Sequence, residues 1–157
     1  MVYPQLVSHS QPETPPQPAV EPLAKATDDW AAVEEDLDLV RNTRANLLVI
    51  GPESLVMDVV RWVIADVPAS IIIGAGEAGR LRLSHLSLRG SILVLRDLDE
   101  LDADGQATLY QWLDGTRGEH QIVCTASPLL LTLLNTGEFD RRLYYRLNTI
   151  CIRLADS

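Results

Sequence analysis

Five short apolar runs, separated by stretches of helical period, constrain this chain most. They are Asn46-Leu47-Leu48-Val49-Ile50, Ala69-Ser70-Ile71-Ile72-Ile73, Ser91-Ile92-Leu93-Val94-Leu95, Gln121-Ile122-Val123-Cys124-Thr125 and residues 149–154. The first is apolar almost throughout, which predicts burial on both faces, as in a parallel sheet. Between the runs, Trp30, Val33, Leu37 and Val40 recur at helical spacing, as do Val56, Val59, Val60 and Val63, and then Gln106, Leu109, Tyr110 and Leu113. Ser127-Pro128 predicts a further helix start and Gly137 its stop. Strands alternating with helices predict an α/β fold: a three-layer α/β/α sandwich on a mainly parallel five-stranded sheet.

The termini and the charge narrow the options. Six of the nine prolines lie in residues 1–22 among Gln, Ser and Glu. Each proline removes a backbone donor, and few apolar groups offset chain entropy there. Residues 1–26 are therefore expected to be a disordered Pro-rich tail, and 27–157 the folded domain, opened by the helix-favouring carboxylates Asp28 and Asp29. Pro12-Glu13-Thr14-Pro15 and Pro15-Pro16-Gln17-Pro18 match PxxP spacing. A net charge of −9 over 157 residues argues against direct DNA binding or attraction to an anionic membrane. No apolar run approaches the ~20 residues that span a bilayer. Cys124 and Cys151 sit inside apolar runs without a preceding secretory signal, which predicts free thiols in a cytoplasmic protein. His9, His85 and His120 lack ligand spacing, so no metal site is expected.

The stretch Phe139-Asp140-Arg141-Arg142-Leu143-Tyr144-Tyr145-Arg146-Leu147-Asn148 reads as a short basic helix feeding the last strand, Thr149-Ile150-Cys151-Ile152-Arg153-Leu154. It resembles the FREDLYYRLN–IRLPPL signature that closes the core of bacterial sigma-54-dependent transcription activators, a branch of the AAA+ P-loop ATPases. The resemblance covers about residues 30–155 and is strongest over 90–114 and 137–154. It implies an AAA+ core, without the helical lid that follows the signature in that family.

The resemblance also assigns positions to the nucleotide machinery. A P-loop uses glycines for close backbone approach to phosphate, a lysine to neutralise it and a hydroxyl to help hold Mg²⁺. At that place this chain has Gly51, then Ser54 and Val56 on the later glycine positions, Met57 on the lysine and Asp58 after it. Glu53 and Asp58 would repel phosphate. Arg96 falls on the metal-site aspartate of the third strand, Asp97 on the catalytic glutamate and Ser127 on the water-orienting asparagine. An arginine opposes a cation there. In the closing signature Asp140 takes the first arginine position, Arg142 lies beyond it and Arg146 keeps the second; in active rings such arginines reach the neighbour's nucleotide. The GAFTGA loop that touches the sigma factor is replaced by Gly74-Ala75-Gly76-Glu77-Ala78-Gly79.

The expectation is a pseudo-ATPase without cofactor or catalytic residues. It would be a regulatory or scaffold domain in transcription regulation or signalling, working through a protein partner or in a homo- or hetero-oligomer with AAA+ proteins. One alternative is an ATP-binding sigma-54 interaction domain with residual nucleotide sensing. Another is an NAD-binding Rossmann-type protein, since Gly74–Gly79 fits GxGxxG and Asp97 stands near a ribose-binding position. Leu81/Leu83 and Leu86/Leu88 alternate at period two, where that crossover needs a helix.

Overall fold

The computed structural model describes residues 30–67, 69–75, 91–116 and 120–155. The elements run α1 (Trp30–Thr43), β1 (Leu47–Ile50), α2 (Glu53–Ile64), β2 (Ala69–Gly74), β3 (Ser91–Arg96), a 3-10 turn (Leu98–Glu100), α3 (Ala103–Thr116), β4 (Gln121–Ala126), α4 (Leu129–Thr136), α5 (Arg141–Leu147) and β5 (Ile150–Arg153). Every apolar run became a strand, within about a residue of the expected bounds. The tail, the Asp28-Asp29 helix opening, the leucine alternation and most of the GxGxxG stretch lie outside the described residues.

The five strands form one sheet, ordered β2-β3-β4-β1-β5, and every pairing is parallel. β1 and β4 are buried along their whole length, as strands covered on both faces must be. α1 and α2 cover one face through Val33, Leu37, Val40, Val56, Val59, Val60 and Val63 against Leu47, Val49, Val94 and Val123. α3, α4 and α5 cover the other through Leu109, Leu113, Leu130, Leu134, Leu143 and Tyr144 against Leu48, Leu93 and Cys124. The three layers follow from the two side-chain parities of these strands.

Leu48 stands level with Cys124 on one neighbour and with Cys151 on the other. The cysteines are thus two strand spacings apart, about 10 Å, beyond the ~7 Å Cα limit for a disulfide. Burial pushes the Cys151 thiol up to about 11 and the Cys124 thiol higher still, so both stay protonated and unreactive.

Three amides carry the polar bonding where the layers meet. At the amino edge of the sheet, the Asn46 side chain donates to the Arg146 carbonyl at 3.3 Å and accepts from Ile122 N–H at 2.9 Å. Gln121 donates to the Val40 and Ala45 carbonyls at the end of α1. Gln106, only 6% exposed, donates to the Leu101 and Glu138 carbonyls and accepts from Asp140 N–H. It ties α3 to the segments before it and before α5. Gln106→Leu preserves volume but orphans those three backbone groups, at about 1–3 kcal/mol for each left buried. We expect urea unfolding to report a loss of about 2–4 kcal/mol, and a loss below 0.5 kcal/mol would show that water replaces the amide.

Candidate nucleotide-site edge

In open parallel sheets, sites form outside the carboxyl ends of the strands. Here that edge holds the residues following β1, β3 and β4. Gly51 N–H donates to the Ala126 carbonyl at 3.0 Å, and Leu154 N–H to the Ile50 carbonyl at 2.8 Å, so β1 is clamped between its neighbours as it ends. A Cβ on Gly51 would stand 2.9 Å from the Leu154 carbonyl oxygen and 3.0 Å from Leu154 Cβ. The glycine is required by the close approach of β5, and its φ does not lie in the positive region.

Two residues later the chain is already helical. Pro52, extended at φ −60° and ψ 143°, precedes α2, and its carbonyl accepts from both Leu55 and Val56 N–H at 3.0 Å. Proline suits this place, where no donor is needed. The amides that would curl around a phosphate in a P-loop are here in helix bonds. Val56 is 3% exposed in the core and Met57 packs against the same cluster. Ser54 is exposed. Asp58 pairs along the helix with Arg61 at 2.8 Å.

Arg96 ends β3, and its Nη2 donates to Glu53 Oε2 at 2.8 Å. This ion pair joins the strand to the first residue of α2. The partners are 35% and 70% exposed, so it contributes at most about 1 kcal/mol. Arg96 Nε is buried without a partner. Asp97 takes the left-handed conformation, φ 61° and ψ 52°, uncommon for a residue with a Cβ. Its amide donates to Thr125 Oγ1 at 3.1 Å, which holds the turn. Ser127 donates through its amide at 3.0 Å and its hydroxyl at 2.9 Å to the two oxygens of Asp99, and its Oγ accepts from Leu129 N–H at the start of α4.

The structure thus gathers Gly51, Arg96, Asp97 and Ser127 on one edge, and turns Met57 and Asp58 along α2. Glu53, Asp99 and Thr125 join them as hydrogen-bonding partners that no sequence motif marks. Glu53 and Arg96 are 43 positions apart, one opening α2 and the other ending β3, and no local pattern marks such a pair. Arg142 and Arg146 lie elsewhere. The Arg146 carbonyl is bonded to Asn46, at the amino edge. Its guanidinium bonds Asp114 at 3.2 Å and the Leu113 carbonyl at 2.9 Å. Arg142 forks onto Asp140 at 3.0 and 3.3 Å. The Tyr110 ring lies 4.8 Å from the Arg142 guanidinium and 5.6 Å from that of Arg146.

The model of the family described as "Sigma-54 interaction domain" matches residues 25–156. The chain belongs to that family. Among solved structures, its fold is similar to NtrX from Brucella abortus in complex with ATP, at TM-score 0.62 and 15% identity over 87% of this chain and 39% of that one. It is also similar to the P-loop NTPase domain of the sigma-54 transport activator from E. coli, at 0.58 and 17% over 84% and 99%. RuvB from Thermotoga maritima follows at 0.52 and 16% over 81% and 43%. The chain therefore has the AAA+ P-loop NTPase fold and spans well under half of NtrX. No curated protein sequence matches it. No helix among the described residues is long and apolar enough to cross a membrane.

Two substitutions check one position that keeps the family's glycine and one, Asp140, that departs from its signature. Gly51→Ala should cost about 1–3 kcal/mol by overpacking against Leu154, read as a lower urea midpoint. A neutral result would mean that β5 yields. Asp140 caps α5 through Arg142 N–H at 2.8 Å, and its hydrogen bond to the Arg142 side chain, then the backbone bond and the nearby charge, hold its carboxyl below the usual range. Its stabilisation is full above the unfolded value near pH ~4 and is lost as pH falls through the lowered folded value. Asp140→Ala should cost about 1 kcal/mol at neutral pH and progressively less in strong acid, a pattern that a pH series of unfolding curves would reveal. An acid-independent cost would remove the charge from the explanation.

Proposed function

We propose that this sigma-54 interaction domain is a non-hydrolysing regulatory or scaffold module that acts in transcription regulation or signalling through protein contacts. The observation that carries the reading is the start of α2 at Glu53, with Leu55 and Val56 N–H bonded to Pro52. A phosphate needs those amides unpaired and the backbone free to curve around it. Opening this loop would unwind the first turn of α2 and draw Val56 out of the core. Arg96, at the place of a metal-holding carboxylate, supports the same reading, because a guanidinium repels Mg²⁺.

The partner proposed from the family's description is a sigma-54-type protein, and assembly with other AAA+ chains is proposed from the fold alone. Arg142 and Arg146 are paired with Asp140 and Asp114, which partly neutralises the charge they would present to such a neighbour. The dinucleotide alternative finds less support: Gly74 ends β2, which pairs with β3 alone among the described strands, whereas dinucleotides bind where strand order reverses.

Millimolar Mg-ATP should leave the thermal unfolding midpoint unchanged. A ligand at a hundred times its Kd would add about 2.7 kcal/mol, a shift of several degrees for a domain this size. Phosphate release should stay at background. A saturable ATP shift in the unmodified chain, or turnover abolished by Asp97→Ala, would overturn the reading. A shift with NAD alone would favour the Rossmann alternative. The triple change Ser54→Gly, Val56→Gly, Met57→Lys should bring a salt-sensitive ATP shift without hydrolysis, from a lower starting stability because Val56 leaves the core.

A further inference from the structure

Resting on the reading that this edge is free of nucleotide, we propose that the Glu53–Arg96 ion pair is an autoinhibitory contact. Glu53 occupies a guanidinium that would otherwise take the oxygens of a phosphate-bearing ligand.

The two partners are held very differently. Arg96 is the last residue of β3, anchored between β2 and β4, and the next amide is fixed on Thr125. Glu53 is the first residue of α2, with its side chain 70% exposed. The cation is set by the sheet, while the anion can swing into solvent without disturbing the core. Their contact is also incomplete. A carboxylate matched to arginine takes two parallel N–H groups, but Glu53 meets Nη2 alone, and Nε is buried without a partner. Of the two nearby aspartates, Asp99 has both oxygens on Ser127 and cannot replace Glu53 without breaking that bond. Asp97 adds a negative charge beside Arg96, so an incoming oxyanion meets one carboxylate that stays and one that can leave.

Phosphate chemistry has two sources here, free phosphate and a nucleotide. Calorimetric titration of the full chain at low salt with inorganic pyrophosphate and with ADP, both without Mg²⁺, distinguishes them. The variants are Glu53→Gln, which keeps the side-chain length at an exposed site, Arg96→Gln, and the two combined. Glu53→Gln should bind pyrophosphate about three- to five-fold more tightly than the unmodified chain, the scale of releasing one largely exposed ion pair. Adding Arg96→Gln should abolish the gain. An equal gain for ADP assigns the contact to phosphate alone, and a larger one assigns it to a nucleotide. No gain in Glu53→Gln, with its circular dichroism unchanged, would overturn the proposal, as would a gain that survives Arg96→Gln. Tight ATP binding by the unmodified chain would sink the nucleotide-free reading as well, whereas failure of Glu53→Gln beside a silent unmodified chain sinks only this inference.

Discussion

β1 is the strand on which the other elements depend. It is four residues long, has no exposed side chain and pairs with β4 on one edge and β5 on the other. A strand buried on both faces and both edges needs helices above and below and parallel neighbours to complete its ladder. α1 and α2 meet its Leu47 and Val49, and the opposite helices meet Leu48 and Ile50. Because all five strands run the same way, every carboxyl end comes to one edge. That topology, more than any single residue, gathers Glu53, Arg96, Asp97, Asp99, Thr125 and Ser127 from three separate segments.

The polar groups of this edge bond one another, with Arg96 Nε the exception. Ser127 bonds Asp99, Asp97 N–H bonds Thr125, and Arg96 bonds Glu53. Their energies differ. The Ser127–Asp99 pair is partly buried and made twice, and Ser127 also receives the first amide of α4, so it fixes the turn after β3 relative to α4. The Arg96–Glu53 pair is largely exposed and is screened by salt within a Debye length of about 8 Å at physiological ionic strength. The rigid part of this edge is therefore the β3–β4 side, and the part most easily changed is the single contact to α2.

Most of the fold was legible because its strands are written as uninterrupted apolar runs and its helices as stripes. Leu47–Ile50 and Ile92–Leu95 admit no other reading once helical stretches alternate with them. The closing element around Tyr144 was legible in another way, as a short basic helix with a family signature, and the burial of the Tyr144 ring was not marked. What sequence did not show is where α2 begins. Gly51 looked like the first glycine of a phosphate loop, yet its missing Cβ answers to Leu154, a hundred residues further on. Glu53, Asp99 and Gln106 carry no local pattern as partners, since their roles depend on strand order and on which turn stands opposite them. Asp97 in the left-handed region was equally unmarked, because the amide bond to Thr125 that secures it is tertiary.

The start of α2 shows how such a decision is made physically. After Gly51 the chain can either loop out or begin a helix at once. Looping out leaves several amides without partners and forces left-handed geometry that Val56, β-branched, resists. Beginning at once gives those amides Pro52 as acceptor and places Val56, Val59, Val60 and Val63 on one buried stripe. Without an anion to bond the free amides, every term favours the helix. A bound phosphate would have to supply those hydrogen bonds and also compensate for a lost core valine and a displaced Glu53. The same glycine-poor sequence that removes the ligand's contacts thus makes the ligand-free conformation the better packed one, and loop and core change together.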